Sequence, residues 1–365
     1  MKRIFILNDL ASIGGAEMVM RDITKHLHRK HKVTVMTLDD DERSFREVFP
    51  ENVEYIPGRL KRNAYSRMHP MRYLVAIHNR IRMAYIRSRK YDVVIANKEG
   101  LCMKLAASMR AEKKLAWVHV DYNHCYWTRG TFAAPDEVKC MKRFDHVVCV
   151  SKAAADGVRN VIGDPGNLCV KYNPIDTANI LKKAEEASRI TRDNQKPLFV
   201  AVGRMVEVKN YTTLAKVCTR LCREFDFEVW IVGDGNQRQE VERILAEGNC
   251  SCVKILGMQS NPYQYMKKAD FLVSTSLGES YGLVIQEALV LGVPVLSTRC
   301  AAIEECLDTK FGKIVDCTEE AIEQGMRDIL ENPKCIASYK TAIEREYDAE
   351  ALWEKRLNEI EGLIG

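Results

Sequence analysis

The sequence predicts an α/β protein with two doubly wound domains that face each other across a cleft. Short apolar runs of strand type alternate with helix-period segments along the whole chain, which is typical of parallel sheets with crossover helices. The series of strands restarts after a polar, charged stretch at 177–196, and 365 residues exceed what one hydrophobic core usually supports. Because ligands bind outside the carboxyl ends of such strands, we expect the active site between the domains.

Ten segments are predicted as strands because each is a short, largely apolar run with many β-branched residues. Five belong to the first domain, at 4–7, 33–37, 93–96, 115–119 and 147–150, and five to the second, at 198–202, 228–232, 253–256, 271–274 and 293–297. The Asn173-Pro174 step is a turn signal between the two series. We therefore expect an N-terminal domain at 1–172, a C-terminal domain at 173–345, and a C-terminal helix at 346–365 that could pack back on the first domain.

Basic residues are concentrated in the first half of the chain. Residues 1–172 contain 31 Lys and Arg against 19 Asp and Glu, and the remainder contains 24 against 31, which gives the net charge of +5. Within the basic segment 59–90, residues 71–90 are predicted as a helix with Leu74, Ile77, Ile81 and Tyr85 on one face and the basic residues clustered elsewhere. Two interpretations remain open: binding to an anionic membrane surface, or a core-packed helix with a solvated basic side. No nucleic-acid partner is expected, because no aromatic-interleaved basic strand accompanies the charge.

The 13 cysteines have irregular spacings and include no C-x-x-C pair. The nearest forms are Cys218/Cys222 and Cys250/Cys252, and we interpret the set as reduced thiols. Only four apolar residues follow Met1-Lys2-Arg3, which is too short for the core of a signal peptide. No run approaches the length of a membrane span, so we expect a cytoplasmic protein, peripheral on the inner face of the membrane if the basic segment binds lipid.

A glycine-bearing turn follows the first strand of each predicted domain. In the first domain, Gly14-Gly15-Ala16-Glu17 precedes a helix, where glycine lets the backbone approach a ligand and the helix start attracts anions; a plain tight turn is the alternative. In the second, Gly203 is followed by Arg204 and Lys209. The Arg204 guanidinium can donate two hydrogen bonds to phosphate oxygens at once, and the Lys209 ammonium can attract them as a single positive charge. Neither turn is G-x-G-x-x-G, which argues against a dehydrogenase.

The segment 276–296 places two carboxylates around a predicted helix start. Glu279 lies in the loop and Glu287 inside the helix, and the N–H groups near Tyr281, Gly282 and Leu283 would face an anion. A phosphate bound there would have a carboxylate on each side, able to accept hydrogen bonds from hydroxyls. This pattern suits a ligand with phosphates in the middle and polyols at both ends, such as a nucleotide sugar.

Five motifs in this order resemble the family-4 glycosyltransferases, retaining enzymes with the GT-B fold of two Rossmann-like domains. They are G-G-A-E at 14–17, N-P-I-D at 173–176, G-R-x-x-x-x-K-N at 203–210, G-D-G at 233–235, and E-S-Y-G-L-x-x-x-E at 279–287 followed by A-x-x-x-G-x-P-V. The resemblance covers nearly the whole chain, and it implies a role in bacterial surface polysaccharide or glycolipid assembly. The chain departs from the family's usual P-N-G-I-D, so its interdomain turn is expected to differ in detail.

The resemblance implies a role for each matching residue of the second domain. Arg204 and Lys209 match the pair that neutralises the donor pyrophosphate. Glu287 matches the carboxylate that binds the ribose hydroxyls, and Glu279 the one that contacts the donor sugar. The loop whose amides contact sugar and phosphate comprises Ser280, Tyr281, Gly282 and Leu283, and Tyr281 replaces a common Phe.

Other candidate residues carry weaker implications. Gly15 matches the glycine of the first domain near the β-phosphate, and Gly203 opens the phosphate turn. His119, at the end of a predicted strand, matches a histidine that faces the donor sugar in many members; a structural strand-end histidine is the alternative. Met258 follows another strand, where backbone groups could contact a base.

The activity implied is retaining transfer of a hexosyl group from a nucleotide-diphosphate sugar to a saccharide or lipid-linked acceptor. UDP is expected because it is the commonest donor base in the family. No metal cofactor is expected, since Arg204, Lys209 and the helix starts can stabilise the charge of the leaving diphosphate. A nucleotide-sugar epimerase or phosphorylase of the same fold, and a non-catalytic nucleotide-sugar-binding subunit, remain as alternatives.

Overall fold

The structure is a computed structural model that describes residues 1–10, 14–39, 46, 49–58, 83–186, 191–193 and 195–365. Within these ranges the chain divides into two compact units, one made of Met1–Pro174 with Glu354–Gly365 and the other of Ile175–Trp353. The division follows Pro174, close to the turn that the sequence indicates. Each unit contains its own parallel sheet.

The described part of the first unit contains a seven-stranded parallel sheet with the order β3-β2-β1-β4-β5-β6-β7. Its strands are β1 (Arg3–Leu10), β2 (Lys32–Asp39), β3 (Glu54–Ile56), β4 (Val93–Ala96), β5 (Lys113–Val118), β6 (His146–Cys149) and β7 (Leu168–Val170). Its labelled helices are α1 (Gly15–His28), α2 (Leu101–Ala107), α3 (Ala134–Met141) and α4 (Lys152–Ile162); residues 83–88 are also helical, and Trp127–Gly130 form a 3-10 turn.

The second unit contains, among the residues described, a six-stranded parallel sheet with the order β10-β9-β8-β11-β12-β13. Its strands are β8 (Leu198–Val202), β9 (Glu228–Val232), β10 (Val253–Gly257), β11 (Phe271–Ser274), β12 (Val295–Thr298) and β13 (Gly312–Val315). Its helices are α5 (Thr177–Ala184), α6 (Tyr211–Leu221), α7 (Arg238–Glu247), α8 (Tyr263–Met266), α9 (Leu283–Val290), α10 (Ala301–Cys306), α11 (Glu319–Glu331) and α12 (Lys334–Glu346), with 3-10 turns at Glu207–Lys209 and Thr309–Phe311.

The predicted α/β class is confirmed, and every predicted strand is present within a few residues of its expected bounds. The structure adds β3, β7 and β13, which are all edge strands. Their residues are mostly half-buried, whereas β4 in the centre of its sheet is buried throughout. A strand that is covered on both faces needs a continuous apolar run, and an edge strand does not. The polar stretch after the junction also contains a helix, α5, whose start is capped by Asp176.

The core of the second unit lies on both faces of its sheet. Leu198 and Val200 of β8 pack into one apolar cluster together with Trp230. Phe199 and Ala201, which alternate with them, pack into a second cluster. Because successive side chains of a strand point to opposite faces, this alternation shows that helices cover both sides of the sheet.

The chain ends in α13 (Ala349–Ile364), whose last part belongs to the first unit. Glu361 accepts hydrogen bonds from Lys30, which follows α1, and pairs at 2.8 Å with His26, which lies in the last turn of α1. Glu359 pairs with Lys171 at 3.3 Å. These ion pairs anchor the last turns of the chain to the first unit. Among the described residues, no helix has both the length and the apolar character needed to cross a membrane.

Candidate functional site

The second sheet brings two predicted site segments together at its carboxyl edge. Strands β8 and β11 are adjacent and parallel, so the loops that follow them leave the sheet at the same edge. The N–H of Leu277 donates to the carbonyl of Val208 over 2.8 Å. The hydroxyl of Thr275 donates to the carbonyl of Lys209 over 3.0 Å. We call residues 203–209 after β8 the phosphate turn and residues 275–282 after β11 the glutamate loop. These hydrogen bonds join the two segments into one surface.

Lys209 and Glu279 form the central contact of this surface. The Lys209 Nζ lies 2.5 Å from Glu279 Oε1, and the Ser276 hydroxyl donates to the same oxygen over 2.7 Å. In the described part of the chain both hydrogen bonds go to Oε1, so Oε2 can accept a bond from a ligand hydroxyl. The ammonium has three donors, and the one directed to Glu279 leaves two for a second anion. Both side chains are partly exposed, Lys209 at 25% and Glu279 at 15%.

Arg204 projects from the same turn into solvent. The N–H of Gly203 donates to Val232 over 3.0 Å and that of Met205 to Asp234 over 2.9 Å, which ties the turn to the end of β9. Met205 is fully buried, whereas Arg204 is exposed and has no ion-pair partner among the residues that the structure describes. A guanidinium held in this way can bind the oxygens of an anion as a fork.

The glutamate loop leads directly into α9. Gly282 caps this helix with a φ of 81°, a left-handed conformation that an L-residue adopts only at a cost, and its carbonyl accepts the N–H of Ile285 over 3.0 Å. Tyr281 is 3% exposed and anchors the loop in the protein. The half-exposed Ser280 and Leu283 stand on either side of it. The first N–H groups of α9 have no intrahelical acceptors, so this helix start suits an anion.

Glu287 lies in the middle of α9 and accepts a hydrogen bond of 3.0 Å from the hydroxyl of Tyr263. Tyr263 is buried at the start of α8 and is not among the site residues predicted from the sequence. Sequence spacing carries no signal for this contact, because the two helices are far apart in the chain. Met258 follows the edge strand β10 and is 76% exposed.

The carboxyl edge of the first sheet carries a polar network of its own. The Asn97 amide donates to Asn8 Oδ1 over 3.0 Å, which joins the ends of β1 and β4. Lys98 Nζ donates over 2.6 Å to Glu17, a buried residue in the first turn of α1. The glycine turn before α1 is thus tied to β4, with Gly15 exposed as the first residue of the helix.

His119 follows β5 at this edge, and its partner Glu99 is not among the site residues predicted from the sequence. Glu99 is 1% exposed, and its Oε1 accepts the backbone N–H groups of His119 and Val120. The His119 Nε2 atom is buried and has no hydrogen-bond partner among the described residues. Burial and the positive charge of Lys98 lower the pKa of His119 to about 3, so the imidazole is neutral at neutral pH. The position of Glu99, soon after a strand, is the signal that would have identified it.

Replacing Glu99 with glutamine is expected to change how stability depends on pH. Burial raises the pKa of Glu99 from 4.5 to about 7 against the effect of its backbone hydrogen bonds. The folded protein therefore retains a proton that the unfolded chain releases, and the wild type loses stability relative to Glu99→Gln as pH rises from about 4.5 to about 7. The full loss is roughly 3 kcal/mol, and the glutamine carbonyl can still accept both N–H groups.

Thermal unfolding of both proteins at about pH 5 and about pH 8 measures this difference. The exposed Glu112→Gln variant is the matched control, since its stability relative to the wild type should change little between these pH values. A Glu99→Gln effect of equal size at both pH values would contradict the raised pKa.

The basic segment is described only from residue 83 onwards, and the part of the predicted helix at 71–82 lies outside the described residues. Tyr85, expected on the apolar face, is 62% exposed, whereas Ile86 is 1% exposed. Arg89 forms a two-pronged ion pair with Glu54 at 2.6 and 2.8 Å. One of the basic side chains is thus engaged within the first unit, and the membrane interpretation stays a prediction.

Two family models match the chain in succession. "Glycosyltransferase Family 4" matches residues 13–179 and "Glycosyl transferases group 1" matches residues 196–332. The chain is 31% identical over 189 residues to the N-acetylgalactosamine-N,N'-diacetylbacillosaminyl-diphospho-undecaprenol 4-alpha-N-acetylgalactosaminyltransferase of Campylobacter jejuni, covering 51% of this chain and 50% of that protein. It is 26% identical over 201 residues to the lipopolysaccharide core biosynthesis glycosyltransferase LpsE of Rhizobium meliloti, covering 53% and 57%. The matched stretch thus spans about half the length of these relatives.

Comparison with solved structures supports the fold over the whole chain. The crystal structure of Anabaena Alr3699/HepE in complex with UDP and glucose matches with a TM-score of 0.76 and 18% identity, covering 99% of this chain and 100% of that chain. The sequence motifs, the two parallel sheets and the two successive family models agree with one another. The chain therefore belongs to the family-4, group-1 glycosyltransferases, which have the GT-B fold.

Proposed function

We propose that this protein transfers a hexosyl group, with retention of anomeric configuration, from a UDP-sugar to a saccharide or lipid-linked acceptor. The observation that carries the proposal is the contact between Lys209 and Glu279, with the exposed Arg204 on the same edge of the sheet. The two cations and the start of α9 can bind a diphosphate. The Glu279 oxygen Oε2 can accept a hydrogen bond from a hydroxyl of the attached sugar. The first unit is assigned to acceptor binding, and the roles of His119 and Gly15 that the family resemblance implies stay predictions.

The reaction breaks the bond between the sugar C1 and the β-phosphate oxygen and forms a bond between C1 and the acceptor oxygen. Negative charge develops on the leaving diphosphate, where Arg204, Lys209 and the N–H groups at the start of α9 stabilise it. The acceptor hydroxyl transfers its proton to a leaving phosphate oxygen on the same face. Glu279 then holds a donor hydroxyl and does not attack C1. Two cationic side chains supply the charge, so no metal ion is included in the proposed step.

The choice of donor and acceptor rests on related proteins. Alr3699/HepE binds UDP and glucose according to its structure, which supports UDP as the nucleotide. The Campylobacter relative is named for an acceptor carried on diphospho-undecaprenol, and the Rhizobium relative for lipopolysaccharide core synthesis. These names support an acceptor in cell-surface polysaccharide or glycolipid biosynthesis, with the protein at the inner face of the membrane.

Incubation with a panel of UDP- and GDP-sugars, with and without a lipid extract, tests the proposal. We expect release of UDP that increases with the acceptor, and no gain in turnover on addition of Mg²⁺ or Mn²⁺. Analysis of the sugar product separates transfer from epimerisation of the donor or phosphorolysis. If no sugar nucleotide is consumed and none shifts the unfolding temperature, the proposal is wrong.

The Tyr263 hydroxyl is expected to position Glu287 for the ribose. Replacing Glu287 with alanine removes a charged acceptor for ribose hydroxyls, and the affinity for UDP should fall by roughly 10- to 100-fold, because such hydrogen bonds contribute about 1.5–3 kcal/mol. Tyr263→Phe removes only the hydroxyl and should weaken UDP binding by about 2- to 10-fold. Isothermal titration with UDP measures both effects.

Glu331→Ala is the matched control for this prediction, since Glu331 is an exposed glutamate of the same unit at the last residue of α11. UDP affinity should be unchanged in that variant. Wild-type affinity in Glu287→Ala would remove Glu287 from the ribose site.

A further inference from the structure

Three cysteines of the second unit converge at the amino-terminal edge of its sheet, and a fourth, Cys218, lies one helical turn before Cys222. Cys218 and Cys222 lie at the end of α6, and Cys250 and Cys252 lie just before β10. The Sγ atoms of Cys222, Cys250 and Cys252 all lie within 4.8 Å of one another, and those of Cys250 and Cys252 are 3.4 Å apart. The thiol of Cys252 also interacts with that of Cys218. We call these four residues the cysteine cluster.

Local structure explains why these thiols meet. Residues four apart lie on the same face of a helix, which aligns Cys218 with Cys222. Cys250 and Cys252 lie two residues apart in the short segment before β10, where their Sγ atoms come within 3.4 Å of each other. Gly248 lets the second pair approach the first, because a Cβ at this position would lie 1.9 Å from Thr219 Cγ2 on α6. The sequence shows the two pairs, and only the packing of α6 against the turn after α7 joins them.

We propose that the cysteine cluster binds a zinc ion, with Cys222, Cys250 and Cys252 as ligands and Cys218 as the fourth. Sulfur atoms around a tetrahedral zinc ion, each about 2.3 Å from the metal, lie about 3.8 Å apart. This value falls between the 3.4 Å distance and the 4.8 Å limit found here. A donor set made only of thiolates selects soft or borderline metals and disfavours Mg²⁺ and Ca²⁺.

Zinc binding also has a proton signature. A bound zinc ion stabilises thiolates, so a ligand that carries a proton in the metal-free protein releases it to solvent on binding.

The cluster is separate from the proposed donor site. Cys252 directly precedes the first residue of β10, whereas Met258, Lys209 and Glu279 follow the carboxyl ends of strands. A zinc ion would join the end of α6 to the start of β10 and stabilise the second unit, because a ligand that binds only the folded state raises its stability. Zinc binding at the cluster does not depend on sugar transfer, and it can be measured without an activity assay.

The full chain, stripped of metal by a chelator under reducing conditions, is titrated with Zn²⁺ against a chromophoric zinc indicator. We expect one equivalent to bind, with release of protons and an increase in the unfolding temperature. Co²⁺ serves as a spectroscopic probe and should produce a thiolate-to-metal charge-transfer band together with the visible bands of a tetrahedral ion. This part of the experiment uses only the wild-type protein and stands whether or not a variant folds.

Cys250→Ser and Cys252→Ser each remove one ligand and should weaken zinc binding by more than about 10-fold. Cys335→Ser is the matched control, since Cys335 is a half-buried cysteine of the same unit outside the cluster, and it should bind zinc like the wild type. Circular dichroism of each variant checks that the fold is retained.

Three results would overturn the proposal. The first is the absence of zinc binding, or a cobalt spectrum without thiolate charge transfer, in the wild-type protein. The second is zinc affinity in Cys250→Ser and Cys252→Ser equal to that of Cys335→Ser. The third is an intact mass of the unreduced protein that is lower by two hydrogens than the mass of the fully reduced chain. If this loss maps to the cysteine cluster, the cluster holds a disulfide in place of a metal site.

Discussion

Replacing Lys209 with alanine is expected to lower sugar-transfer turnover by about 100- to 1,000-fold. Loss of one preorganised group that stabilises charge in a transition state typically has an effect of this size. Lys209 is the cation held by Glu279 at 2.5 Å on the proposed diphosphate surface. Steady-state rates of UDP release with a saturating acceptor measure the change.

The same variant should remain nearly as stable as the wild type. Lys209 and Glu279 are both partly exposed, and removing one partner of such an ion pair costs about 1 kcal/mol or less. An unfolding temperature close to that of the wild type would therefore separate loss of catalysis from loss of folding. Glu279 keeps its hydrogen bond from Ser276 in this variant, which limits the disturbance of the loop.

Lys216→Ala provides the matched control for this comparison. Lys216 is 52% exposed on α6 and lies 3.6 Å from Glu319, away from the donor edge. Its replacement removes the same charge from the same unit, and turnover should stay within about two-fold of the wild type. Equal rates in Lys209→Ala and Lys216→Ala would show that Lys209 does not act on the diphosphate.

Replacing Trp230 with alanine is expected to destabilise the second unit by about 3–5 kcal/mol. Trp230 is completely buried in the centre of β9 and packs edge-on against Tyr265, with ring centroids 6.3 Å apart. Its indole N–H also donates to Glu228 over 3.0 Å. The variant loses apolar burial and leaves a cavity that the surrounding side chains can fill only in part.

Hydrogen exchange followed by mass spectrometry locates this effect. Peptides from β8 and β9 should exchange faster in Trp230→Ala, whereas those from β4 and β5 should be unchanged, because the first unit has its own core. Trp127→Ala is the control, since Trp127 is 39% exposed and its loss should cost less than about 1 kcal/mol. Wild-type protection of β8 in Trp230→Ala would contradict the importance of this residue.

The central strands of both sheets could be predicted from the sequence, and three edge strands could not. β4, β8 and β9 are buried on both faces, so their residues form apolar runs that are visible in the chain. β13 lies at an edge, and most of its residues are half-buried. An edge strand is stabilised by one neighbouring strand and by whatever packs over it, and neither leaves a pattern in its own few residues.

The candidate site could likewise be predicted only in part from the sequence. Arg204 and Lys209 were predicted because a glycine-bearing turn after a strand marks the carboxyl edge of a parallel sheet. Glu279 was predicted because it lies in the loop ahead of a helix start. The contact of Tyr263 with Glu287 was not predicted, because it joins two helices through side-chain packing. Glu99 was overlooked although it follows a predicted strand.

The sequence by itself determined the fold class, the order of the motifs and the edge of each sheet at which they lie. These properties follow from hydrophobic periodicity and turn chemistry, which are local and can be read along the chain. The tertiary structure alone decided that Lys209 pairs with Glu279 and that Cys222 lies beside Cys250 and Cys252. Such contacts join segments that are distant in the chain, and they depend on strand order and helix packing that no local pattern encodes.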